Sequence, residues 1–116
     1  MEKTVKKYSE INLRVGLDEG NVPIEILWEA QDGGQEPKPC KAMLLSLFDL
    51  DERETFKIDL WTQEMQVNEM DRFFFQTLRG LADTYFTATK NQELASQMRQ
   101  FVQFFGEQTE ILPKTR

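Results

Sequence analysis

The amino-acid sequence predicts an α+β fold, an antiparallel sheet of three or four strands followed by two C-terminal helices packed on one face. Three observations predict it. Apolar residues alternate with polar ones through much of the first sixty positions, the period of half-buried strands. From Asn68 onward the spacing changes to that of amphipathic helices. The glycine- and proline-containing stretches "DEGNVP" and "QDGGQEPKP" fall between the segments.

The first strand is carried by "SEINLRVGL", in which Ile11, Leu13, Val15 and Leu17 alternate with Glu10, Asn12, Arg14 and Gly16. In the second, Ile24, Ile26, Trp28 and Ala30 point one way and Glu25 and Glu29 the other, with Gly20 and Asn21 of "DEGNVP" suited to the connecting turn. The pair reads as an antiparallel hairpin with one face for a core and one for water. "QDGGQEPKP" has loop composition and is too short to link two domains. "CKAMLLSLFDL" fits a buried strand as well as a short helix opening near Pro39, and periodicity does not choose between them. After the charged "DERE" turn, "TFKIDLW" places Phe56, Ile58 and Leu60 inward and Lys57 and Asp59 outward.

Asn68 is the expected cap of the first helix, which runs to about Thr89, and Asn91 that of the second. In the second helix Leu94, Met98, Phe101 and Phe105 form a narrow apolar stripe that should pack on one neighbour, and Gly106 suits the residue just past the helix end. The first helix carries three consecutive phenylalanines, which at about 100° per residue cannot share one face. Met70, Phe74, Leu78, Leu81 and Tyr85 form one stripe, and Phe75, Leu78, Ala82 and Phe86 a second. One can rest on the sheet and the other on the last helix, which leaves Phe73, beside Arg72, as the candidate for exposure. Leu27 and Trp61 break the alternation on the polar side of the strands. If their strands are neighbours, the two form an apolar contact patch; single exposed apolar residues are also ordinary. The candidate partner contacts are thus Leu27, Trp61 and Phe73.

A chain of 116 residues suits one domain able to bury about two-thirds of its surface. The expected layout is a flexible basic tail over 1–8, a single α+β domain over 9–112 and a short tail over 113–116. The lone Cys40 fits a reducing compartment, and no leader or apolar run of roughly 18 residues is present, so a soluble cytoplasmic protein is expected. Fourteen basic against 20 acidic residues, a formal charge of -6, oppose attraction to nucleic acid, and the basic residues Lys3, Lys6, Lys7, Lys114 and Arg116 read as solvated tails.

Catalytic and metal chemistry find little material. The chain has no histidine, the usual general acid or base near neutrality and the commonest metal ligand. Gly33 and Gly34 have neither dinucleotide-fingerprint spacing nor a P-loop lysine, and Cys40 has no activating histidine. The acidic run Asp49, Asp51, Glu52 and Glu54 lacks the glycine and distal glutamate of an EF-hand and is interrupted by Arg53, so it reads as a solvated turn. Nothing in the sequence brings Asp59 and Asp83 together as a carboxylate pair. No enzyme, no metal and no cofactor is the expectation.

The blocks "SEINLRVGLDEGNVPIEILWEAQDGG", "KAMLLSLFD", "RETFKIDLWTQEMQVNEMDRFFFQTL" and "LADTYFTATKN" resemble the GldC family, gliding-motility accessory proteins of Bacteroidota, over about Ser9 to Phe105. The most specific piece is "IDLWTQEM" followed by "VNEM" and "FFFQTL". The resemblance implies a soluble non-enzymatic protein without cofactor that supports the gliding machinery, its partner a component of that machinery or a second copy of itself. A chaperone-like or small-molecule-binding protein, using the helical aromatic cluster as a pocket, is the alternative. Strands followed by two helices also resemble SecB-type export chaperones in coarse layout, without a shared motif.

Overall fold

The computed structural model describes residues 3–33 and 36–114, so Gly34 and Arg116, considered above, lie outside the described residues. Five strands precede two helices, the α+β order expected: β1 (Ile11–Leu17), β2 (Pro23–Ala30), β3 (Lys38–Cys40), β4 (Ala42–Phe48), β5 (Thr55–Trp61), α1 (Val67–Thr89) and α2 (Gln92–Gln108). The chain divides into two compact units, one up to Met65 and one from Gln66.

In the first unit the strands form two antiparallel sheets, one in the order β1-β2-β3 and the other β4-β5. The segment that fitted strand or helix is strand: β3 pairs with β2, and β4 pairs with β5 along its whole length, Ala42 opposite Trp61 and Phe48 opposite Thr55. The partner decides it, because β5 supplies a ladder for every residue of β4.

Both hairpins turn on an aspartate followed by a residue in the left-handed region. Asp18 Oδ1 accepts from the N–H groups of Gly20 (2.8 Å) and Val22 (3.0 Å), with Asn21 at φ 63°. Asp49 Oδ2 accepts from Asp51 (3.0 Å) and Glu52 (2.7 Å), with Arg53 at φ 57°. The acidic run is therefore a turn whose first carboxylate is occupied by backbone donors.

Register sets which side chains share a face. In the first sheet Leu13 is opposite Trp28 and Val15 opposite Ile26, so the predicted apolar face exists. Ile26 at its centre is fully buried, while Ile11, Leu17 and Ile24 around it are exposed. In the second sheet Met43, Leu45 and Leu47 face Leu60, Ile58 and Phe56. Phe56 and Ile58, expected inward, are each more than half exposed.

The second unit is an antiparallel helical hairpin. Lys90 closes α1 at φ 60°, its N–H donating to Phe86 O at 2.7 Å, and Asn91 Oδ1 accepts the Leu94 N–H at 3.0 Å, the cap expected for α2. The start of α1 differs from expectation. Val67 opens the helix, Gln66 is its cap, and the Gln66 N–H donates to Glu69 Oε1 at 3.0 Å, so Asn68 lies within the first turn. A glutamate three residues after the cap satisfies a free backbone donor, and Asn68 has no glutamate or glutamine at that spacing.

The α1–α2 contact also differs in detail. Phe75 and Ala82 of the second predicted stripe are buried, as expected. On α2 the buried residues are Ala95, Val102 and Gly106, whereas Leu94 and Phe101 of the predicted stripe are exposed. Small residues let the helices approach closely, which places the bulky ones to the side. Gly106 is accordingly inside α2: a Cβ there would lie 2.7 Å from both Phe75 Cε1 and Leu112 Cδ1.

A candidate contact surface

The three candidate contact residues lie on three different elements. Trp61 ends β5, is exposed, and forms one wall of a depression of about 300 Å³ together with Val22, Pro23, Leu60 and Thr62. Pairing of β5 with β4 fixes its backbone, and its cross-strand neighbour Ala42 is too small to cover the indole. Thr62, next in the chain, is buried and anchors the strand end, its N–H donating to Lys41 O at 2.8 Å. Behind it a second cavity of about 430 Å³ is bordered by Ile24, Ile26, Pro39 and Cys40.

Leu27 lies in the other sheet, half-buried in its central strand between Arg14 of β1 and Pro39 of β3. Since β2 and β5 are not strand neighbours, Leu27 and Trp61 do not form a shared face by pairing, and Leu27 does not border the Trp61 depression. Phe73 is half-buried on α1, its ring edge-on to Phe74 at 6.2 Å and 89°. The residue exposed among the three phenylalanines is Phe74. The sequence pointed to the cluster but not to the member, because Phe73 stands apart from both stripes yet leans on its neighbour's ring.

The titratable side chains considered above are engaged in ordinary structural contacts. Asp59 pairs with Lys57 at 3.3 Å, and Asp83 with Arg99 at 3.2 Å. Burial pushes the Cys40 thiol up, partly offset by a hydrogen bond from the backbone of Ala42, so at neutral pH it is a protonated, weakly nucleophilic group. Among the described residues no three acidic or cysteine side chains are grouped to hold a metal ion, and no helix is long and apolar enough to cross a membrane.

The arrangement is that of a small α+β protein whose distinctive surface is apolar. Residues 23–111 match the family model described as gliding motility-associated protein GldC-like. The match spans more than half of the chain and includes "IDLWTQEM" and "FFFQTL", so the chain belongs to the GldC-like family, whose members are associated with gliding motility. No curated protein and no solved structure gave a significant match.

Proposed function

We propose that this chain is a non-enzymatic accessory protein of the gliding machinery that works in the cytoplasm through protein contacts. Family membership supports the setting. The exposed Trp61 above its depression is the observation that carries the mode of action, since a large aromatic side chain beside a concave apolar surface is the kind of anchor that dominates protein interfaces. In this reading Trp61 is the principal contact, and Leu27 and Phe73 are contacts on their own elements. The partner is a protein component of the motility machinery.

The test is affinity capture with chemical cross-linking from a gliding host, using the wild-type chain and a Trp61→Asp variant. Capture of a motility component by the wild type, lost in the variant, supports the reading. Capture that is unchanged by the substitution contradicts the role of Trp61. A second reading, a chaperone-like protein that holds unfolded chains, draws on exposed Phe74, Phe101 and Phe104 of the helical hairpin. It requires suppression of aggregation of a non-native client.

A further inference from the structure

The acidic residues are spread unevenly along the chain. Residues 1–65 hold 8 basic and 14 acidic side chains, the whole formal charge of -6, while residues 66–116 hold six of each. Lys3, Lys6 and Lys7 precede β1, so the strands and their turns are more acidic still. Part of this charge rims the concave surface beside Trp61. Asp59 borders the Trp61 depression, and Glu25, Lys41 and Glu64 border the second cavity, which shares Thr62 with it. The turn leading into Val22 adds Asp18 and Glu19. Five carboxylates stand there against two lysines, Lys41 and the Lys57 that pairs with Asp59.

We infer that the two depressions take a short segment of a protein partner in which basic residues, arginine above all, accompany apolar ones. Charge complementarity fixes the sign. An acidic rim repels nucleic acid and anionic lipid surfaces and gathers a cationic segment. The floor fixes the rest of the chemistry. Val22, Pro23 and Leu60 line one depression and Ile24, Ile26 and Pro39 the other, and a cation without apolar side chains would leave them wet. Trp61 favours arginine, because a guanidinium stacks flat on an indole face. Trp28 already makes a contact of this kind within the chain, with Lys38 Nζ 6.0 Å from its ring centroid. Thr62 calls for a peptide. It is common to both depressions, and its hydroxyl is buried with no hydrogen-bond partner among the described residues, a group that a docked backbone N–H or C=O satisfies.

The inference rests on the reading of Trp61 as a protein contact, and it can fail separately from it. The probes are three labelled peptides of about ten residues: arginine alternating with leucine, the same with glutamate for arginine, and the same with serine for leucine. In fluorescence anisotropy the arginine–leucine peptide should bind the full chain about tenfold more tightly than either other peptide, and about tenfold more weakly at ~300 than at ~50 mM salt. Trp61→Ala should weaken it about tenfold, and Glu25→Gln with Glu64→Gln about fivefold. Asp51→Asn with Glu54→Gln, an equal loss of charge at the far end of β5, should change it less than about twofold. On adding the peptide to isotope-labelled wild type, the Trp61 indole N–H resonance should shift and that of Trp28 should not, a readout that does not depend on the variants folding. Equal binding of the arginine–serine peptide or of spermidine overturns the inference, because charge alone then suffices. So does tight binding of the glutamate peptide, or resonance shifts confined to the helical hairpin. A doubled mass in light scattering that becomes single when Lys3, Lys6 and Lys7 are all replaced by glutamate also overturns it, assigning the surface to the tail of a second copy. If these peptides fail while capture from a gliding host still depends on Trp61, the contact reading stands and only the partner's chemistry is refuted.

Discussion

Replacing Gly106 by alanine tests whether the hairpin is held by close approach of small residues. In an exposed helix interior the change stabilises by ~1 kcal/mol, because glycine loses more backbone freedom on folding. At Gly106 the added Cβ would lie 2.7 Å from Phe75 Cε1, 2.7 Å from Leu112 Cδ1 and 2.9 Å from Leu112 Cγ. Phe75 is buried and cannot swing away, and Leu112 is held by its N–H donating to Gly106 O at 2.9 Å. Overpacking of this kind costs about 1–3 kcal/mol. Set against the helical gain, the net expectation is a loss of about 1–2 kcal/mol, a fall of several degrees in Tm for a chain of this size. Gly80, in α1, is the internal control, since an added Cβ there meets nothing within 4 Å. Gly80→Ala should therefore stabilise by about 0.5–1 kcal/mol. Urea unfolding of the two variants should give shifts of opposite sign, and Leu112→Ala in the Gly106→Ala background should relieve part of the clash. If Gly106→Ala stabilises as Gly80→Ala does, the close packing described at the hairpin is wrong.

Three further expectations follow from local chemistry. Asn91→Ala removes the side-chain acceptor at 3.0 Å from the Leu94 N–H and should lower stability by ~1 kcal/mol in chemical unfolding, with Asn91→Asp close to neutral. Arg53 at φ 57° bears a left-handed conformation that glycine adopts freely, so Arg53→Gly should raise stability by about 0.5–1 kcal/mol; a loss would show that the turn does not hold that conformation. Cys40 should alkylate more slowly than a free thiol near neutral pH, with a midpoint displaced upward, because burial disfavours the thiolate. Because its folded pKa lies above the unfolded one, the thiol's contribution to stability is present below the unfolded pKa and is lost as pH rises through the folded one. Cys40→Ser should flatten that alkaline decline.

The parts of the fold that depend on neighbours in sequence were legible in it. Alternation located β1, β2 and β5, and Gly20 and Asn21 announced the first turn, though not the part of Asp18 in it. Asn91 announced the start of α2 because a cap is a bond to a backbone group three residues away. What escaped depends on remote partners. The stretch from Cys40 to Asp49 needed β5 to become a strand, and the division into two sheets is a choice of pairing that periodicity does not encode. Gly106 read as a helix terminator because glycine serves both purposes, and only Phe75 and Leu112 distinguish them. On α2 the large residues drew attention as the packing stripe, while the close contact is made by Ala95 and Gly106, which a search for hydrophobicity overlooks. The candidate contacts fared likewise. In exposure, Trp61 lies open as its place outside the alternation suggested, Leu27 is half-buried in the other sheet, and Phe74 is more open than Phe73.

Colony spreading of a gliding host whose chromosomal copy carries Trp61→Asp tests most directly whether the protein acts through an apolar contact. Strains with the wild-type gene and with a clean deletion provide the two reference points, and immunoblotting confirms equal protein. The account predicts that the deletion spreads less than wild type and that the Trp61→Asp strain resembles the deletion with normal protein abundance. Wild-type spreading by the Trp61→Asp strain would remove Trp61 from the mechanism, and wild-type spreading by the deletion would contradict the accessory role itself.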